Sequence, residues 1–101
     1  MSQLAQSAAQ PDAEPAPTHC FSVHALAEPG VMPRVLELFA KRGLVPSSWT
    51  SRVGFEHDLT IDIQMTGMST DVADYVTRCL RQIVGVQVVL ASRKRVALRS
   101  I

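Results

Sequence analysis

An α+β domain, with two helices on one face of a four-stranded antiparallel sheet, is the architecture this sequence predicts, on three observations. The apolar period runs in the order strand, helix, strand, strand, helix, strand. Each predicted helix has one apolar stripe and each strand one apolar face, so the two kinds of element need each other as cover. The chain has 101 residues, 47% of them hydrophobic, which suits a single core.

The first strand is read from Cys20 to Leu26, with Phe21, Val23 and Ala25 on one side and Ser22 and His24 on the other. Glu28-Pro29-Gly30 is a turn signal, and Gly30 is expected there at positive φ. Val31, Val35, Leu38 and Phe39 then recur at helical spacing, opposite Arg34, Glu37 and Lys41. Pro33 suits the first turn, and Gly43 marks the helix end. From Leu44 to Val53 the parity of Val45, Trp49 and Val53 suggests a second strand. Pro46 has no N–H to give a ladder, so this strand belongs at an edge. After a hairpin over Gly54 to Asp58, the residues Leu59, Ile61, Ile63 and Met65 alternate with Thr60, Asp62 and Gln64. Ser69 or Thr70 caps a second helix, whose expected stripe is Val72, Val76, Cys79, Leu80 and Ile83. Asp71 and Asp74 lie early in it, Arg78 and Arg81 late, as the helix dipole favours. Gly85 ends that helix, and Val86 to Leu90 is the last strand.

The folded domain is expected over residues 18–91. Residues 1–17 are Ala-, Gln-, Ser- and Pro-rich, too poor in large apolar groups to offset ordering entropy, and read as a flexible tail. They lack the features of a signal or transit peptide. Residues 92–101 read as a basic tail, in which Arg93, Lys94, Arg95 and Arg99 are solvated charges.

Composition excludes several classes. A formal net charge of +1 exerts no global pull on nucleic acid or anionic membrane. No apolar run approaches the roughly 20 residues of a membrane span. Cys20 and Cys79 have neither CxxC spacing nor a disulfide pattern and read as buried, reduced thiols in a cytoplasmic protein. His19, His24 and His57 lack ligand spacing, so no metal site is expected. Asp62 reads as a cross-strand partner rather than a general base.

The strand and helix order is that of a ferredoxin-like βαββαβ fold, which hosts many functions, so function must be sought in sites. The open sheet face would show Ser22, His24, Thr60, Asp62 and Gln64, with no aromatic on which bases could stack. The first loop has no cysteine pair for a metal and no arginine in a phosphate cradle.

That loop carries a resemblance. Glu28-Pro29-Gly30-Val31-Met32, continuing through Arg34-Val35-Leu36-Glu37-Leu38-Phe39-Ala40-Lys41-Arg42-Gly43, resembles the opening of ACT domains. Trp49, Ile61-Asp62-Ile63 and Leu80-Arg81-Gln82-Ile83-Val84-Gly85-Val86 are most similar to the short, single-domain small regulatory subunits of acetolactate (acetohydroxyacid) synthase. The resemblance covers roughly Phe21 to Ala91. It implies a non-catalytic regulatory subunit in branched-chain amino-acid synthesis, without a cofactor of its own. Its partners would be a second copy, paired along Ser47, Ser48, Trp49 and Thr50, and the thiamine-diphosphate-dependent catalytic subunit. A stand-alone sensor of a small amino acid is the alternative it allows.

The resemblance places an effector between Ala27, Glu28, Pro29, Gly30 and Val31 of one subunit's loop and Val45 and Pro46 at the edge strand of the other. Here Ala27 stands where effector-binding members have Asp or Asn, Val45 stands where the regulatory subunits have an amide, and Pro46 has no N–H. Regulation without sensitivity to valine is therefore expected.

Overall fold

The computed structural model describes residues 17–94. Its elements are β1 (Thr18–Leu26), α1 (Val31–Lys41), β2 (Ser48–Val53), β3 (Asp58–Thr66), α2 (Thr70–Arg81) and β4 (Val86–Lys94). The strands form one sheet in the order β2-β3-β1-β4, with every neighbouring pair antiparallel. This is the architecture the apolar periods predict.

Alternation in β1 and β3 sends Phe21, Val23, Ala25, Leu59, Ile61, Ile63 and Met65 to one face, where all are buried. The stripe of α1 covers them with Val31, Val35, Leu38 and Phe39. Phe21 meets Phe39 edge to face, with ring centroids 6.3 Å apart. Fully burying one such side chain stabilises the fold by about 1.5–3 kcal/mol. Helix α1 closes with Gly43 at φ 69, Gly43 N–H on Ala40 O and Leu44 N–H on Phe39 O. That pairing is a Schellman end, and it turns the chain back toward the sheet. At the start of α2, Ser69 Oγ accepts from Val72 N–H at 3.2 Å.

Four expectations need correction. The buried side of α2 is Ala73, Val76, Thr77 and Leu80, while Val72 is exposed and Cys79 and Ile83 lie only at the core margin. Thr77 can sit inside because its hydroxyl donates to Ala73 O at 2.8 Å, so no polar atom is stranded. The second strand begins at Ser48, which leaves Val45, Pro46 and Ser47 ahead of it; Ser47 N–H and Oγ both bond Gln64 O instead. The last strand continues to Lys94, because Thr18, His19 and Cys20 pair with Lys94, Arg93 and Ser92. The remaining residues assigned to the two tails lie outside the described residues. Finally, Gly30 has φ −82, an ordinary right-handed conformation.

The open face also holds more than the central strands supply. Val88 and Leu90 of β4, opposite His24 and Ser22, stand exposed beside them. Ser22 Oγ and His24 Nε2 are 3.1 Å apart on the same face. Among the described residues no helix is long and apolar enough to cross a membrane.

Gly85, by contrast, has φ +99, and a Cβ there would lie 2.9 Å from Val31 Cγ2 at the buried start of α1. Gly30 would meet only the mobile end of Arg34. Replacing Gly85 by Ala should therefore lower stability by about 2 kcal/mol or more, and Gly30→Ala should change it by no more than ~0.5 kcal/mol. Urea denaturation of the two variants beside the parent chain measures both.

Candidate functional site

The β1–α1 loop is short and its backbone is already in use. Ala27 N–H bonds His57 O at 2.9 Å, Glu28 N–H bonds Leu26 O at 2.8 Å, and Val31 N–H bonds Glu28 O at 3.1 Å. Leu26 N–H holds Gly85 O at 3.0 Å, which pins the α2–β4 turn against the loop's base. Pro29 has no N–H, and Val31 points wholly into the core. The loop is thus clamped between the β2–β3 hairpin and the α2–β4 turn, with few donors left for a ligand.

Beside this loop, the structure brings two of the expected segments together. Pro29 shares an open groove of about 750 Å3 with Met32, Pro33 and Leu36 of α1 and with Pro46 and Trp49 across from them. Ala27, Glu28, Gly30, Val31 and Val45 are not among its lining residues. Val45, ahead of β2, is 82% exposed. Met32 and Leu36, which sequence reasoning placed in no site, form the groove's helical wall; both are exposed apolar residues on a helix whose core stripe is already complete. That surplus of apolar residues was the available signal. Trp49 packs partly against the core and partly lines the groove.

Apart from the Trp49 indole N–H the six lining side chains are apolar, and the Ser47 hydroxyl beside Pro46 is already spent. Ser47 Oγ donates to Gln64 O at 3.0 Å and accepts from Thr66 Oγ1 at 3.1 Å. A zwitterion entering here would shed water and meet no charged partner, an unfavourable exchange. An apolar side chain would gain the burial of both surfaces.

The groove adjoins the free edge of β2. Gly54 N–H bonds Asp58 O across the β2–β3 hairpin. By antiparallel alternation the backbone groups of Trp49, Ser51 and Val53 therefore face away from β3. Ser48 and Thr50, two of the four residues expected at a pairing edge, lie on this strand, Trp49 presents its backbone outward, and Ser47 precedes it. The opposite edge is different. Arg81 Nη2 of α2 donates to Val89 O of β4 at 3.1 Å, and the register of β4 shifts at His24/Ala25. Both features hinder pairing there.

Away from the groove, Arg42 ties the helices together. It donates to Leu38 O at 3.0 Å and Tyr75 Oη at 3.1 Å, and lies 5.1 Å from the Tyr75 ring centroid. The Tyr75 hydroxyl raises the Arg42 pKa further, so the guanidinium is a permanent cation. Among the described residues no three His, Cys, Asp or Glu side chains come together to hold a metal ion.

A four-stranded sheet of this order with two helices on one face defines a ferredoxin-like α+β domain. The ACT-like domain model matches residues 13–97, and the chain belongs to that family. Solved structures agree on the fold. The ACT domain of GTP pyrophosphokinase from Chlorobium tepidum superposes with a TM-score of 0.65 at 13% identity, over 74% of this chain and 96% of that one. The C-terminal domain of MgtC from Mycobacterium tuberculosis gives 0.63 at 14% identity, over 88% and 99%. A homoserine dehydrogenase from Thiobacillus denitrificans gives 0.62 at 11% identity, over 78% of this chain but 17% of that one. No curated protein sequence matches the chain.

Trp49 is the single tryptophan, so its fluorescence reports on this groove. Valine at about 10 mM would nearly saturate a site with a Kd of about 1 mM. Trp49 emission is expected to stay unchanged in that titration, since the groove has no charged group for either end of a zwitterion.

Proposed function

We propose that this chain is a non-catalytic regulatory subunit that works as a two-fold dimer and docks through apolar surface onto a catalytic partner. The observation that carries the reading is the juxtaposition of the bare β2 edge with an apolar groove that lacks polar ligand contacts. Edge-to-edge pairing of β2 would merge two sheets into one of eight strands and remove the exposed edge. The groove formed by Met32, Leu36 and Trp49 would then lie beside the seam, where Trp49 suits an anchoring role.

The sequence resemblance selects the partner. It is the catalytic large subunit of acetolactate synthase, in the cytoplasm, with the regulatory chain raising the partner's activity. Ala27, Val45 and Pro46 in place of polar contacts make that activation insensitive to valine. A stand-alone small-molecule sensor is the second reading, and the groove's size favours it to the extent that about 750 Å3 suits an apolar small molecule.

Reconstitution separates the two. The full chain added to its cognate large subunit should raise acetolactate formation several-fold, unchanged as valine is titrated. Leu36→Lys, an exposed change that leaves the melt within ~0.5 kcal/mol of the parent, should abolish activation. Absence of activation by the parent chain overturns the partner assignment; activation that valine reverses overturns the reading of the loop. Ser51→Pro removes an outward N–H without touching the β3 ladder. In sedimentation velocity it should convert a dimer to a folded monomer.

A further inference from the structure

The outer side of the helix layer carries a cluster that neither the groove nor the β2 edge uses. Val72, Tyr75 and Arg78 recur at three-residue spacing along α2 and are all exposed, so they run along one side of the helix. Arg42, just past α1, reaches across to them. Its guanidinium carbon lies 5.1 Å from the Tyr75 ring centroid, and that of Arg78 lies 5.8 Å from it. None of these four residues lines the groove.

Two like charges gathered on one ring repel each other, and here neither is neutralised. The one ion pair among the described residues is Lys41 with Glu37. Asp74 precedes Arg78 by one turn, the spacing of a helical ion pair, yet Arg78 lies against Tyr75 instead. Arg42 is also held in place. It donates to Leu38 O at 3.0 Å and Tyr75 Oη at 3.1 Å, and meets Cys79 Sγ at 3.8 Å. In the bond to Arg42 the Tyr75 oxygen is the acceptor, and among the described residues nothing takes the Tyr75 proton. A hydroxyl and two guanidiniums thus present donors at one place, with no anion to receive them.

We propose that this stripe is a docking surface for an acidic segment of the catalytic partner. An Asp or Glu carboxylate would be received by Arg42, Arg78 and the Tyr75 hydroxyl, while an apolar neighbour covers Val72. The inference rests on the reading of a catalytic protein partner and adds a second, charged contact to the apolar groove. The sign of the charge selects an acid, since a basic segment would bring a third cation to the ring. The exposure selects a protein over a free anion. Ion contacts in full solvent are worth little, and these arginines gain strength only beneath a surface that excludes water. Val72, 40% exposed, and Tyr75, 46% exposed, supply the apolar area such a cover needs. Tyr and Arg are also the side chains that most often anchor interfaces. An arginine already fixed by its neighbours loses little freedom on docking.

The test is surface plasmon resonance of the full chain on its cognate catalytic subunit at two salt concentrations. Between about 50 and about 300 mM salt, the parent chain should associate several-fold more slowly as salt rises. Arg78→Glu should weaken binding about tenfold or more and remove most of that salt dependence. Lys94→Glu makes the same change of charge and should leave binding as it is. Arg93 reaches Thr70 of α2, so by strand alternation Lys94 faces away from the helices. Tyr75→Phe keeps the ring and deletes the donor, and should cost several-fold in affinity. All three positions are exposed, so each variant should melt as the parent does. Binding by the parent with Arg78→Glu no weaker than Lys94→Glu overturns the docking surface and leaves the partner standing. No binding by the parent chain overturns the partner assignment and the surface together. Loss of a dimer in Arg78→Glu, read by sedimentation velocity, assigns the stripe to a contact between copies and equally overturns the proposal.

Discussion

Strand β1 is the constraint from which the rest follows. It is paired along its length with β3 on one side and β4 on the other, and it carries Phe21, Val23 and Ala25 into the centre of the core. A one-residue slip would turn that stripe out to solvent. With β1 fixed, β2 is forced to one edge of the sheet and β4 to the other. The loop leaving β1 must then pass between the β2–β3 hairpin and the α2–β4 turn, where Ala27 and Leu26 are pinned by His57 and Gly85. A Cβ at Gly85 would lie 2.9 Å from Val31 Cγ2, so that turn has no room for a side chain.

Two edges of one sheet are treated differently, and this asymmetry carries the functional reading. Arg81 and a register shift guard β4, whereas β2 presents the backbone of Trp49, Ser51 and Val53 beside an apolar groove.

Much of the fold was legible because period-two and helical patterns are written in large aliphatic residues. Leu59, Ile61, Ile63 and Met65, and Val31, Val35, Leu38 and Phe39, all lie where their spacing puts them. The misreadings occur where pattern is weak or small residues decide. Val72 outweighs Ala73 on any apolar scale, but Ala73 and Thr77 permit close packing and Val72 does not face the sheet. Ser92, Arg93 and Lys94 read as a tail because ladder pairing with β1, not hydrophobicity, makes them strand. In the groove, Pro29, Pro46 and Trp49 were legible, while Met32 and Leu36 needed the helix's orientation to be seen.

The dimer seam is the claim on which the regulatory account most directly stands, and hydrogen exchange reads it one amide at a time. In β2 the amide of Thr50 faces β3, while that of Ser51 faces outward. Pairing across a two-fold axis predicts that Ser51 exchanges as slowly as Thr50 at high protein concentration and faster on dilution. Rapid exchange at Ser51 beside a protected Thr50, at every concentration, would contradict the account.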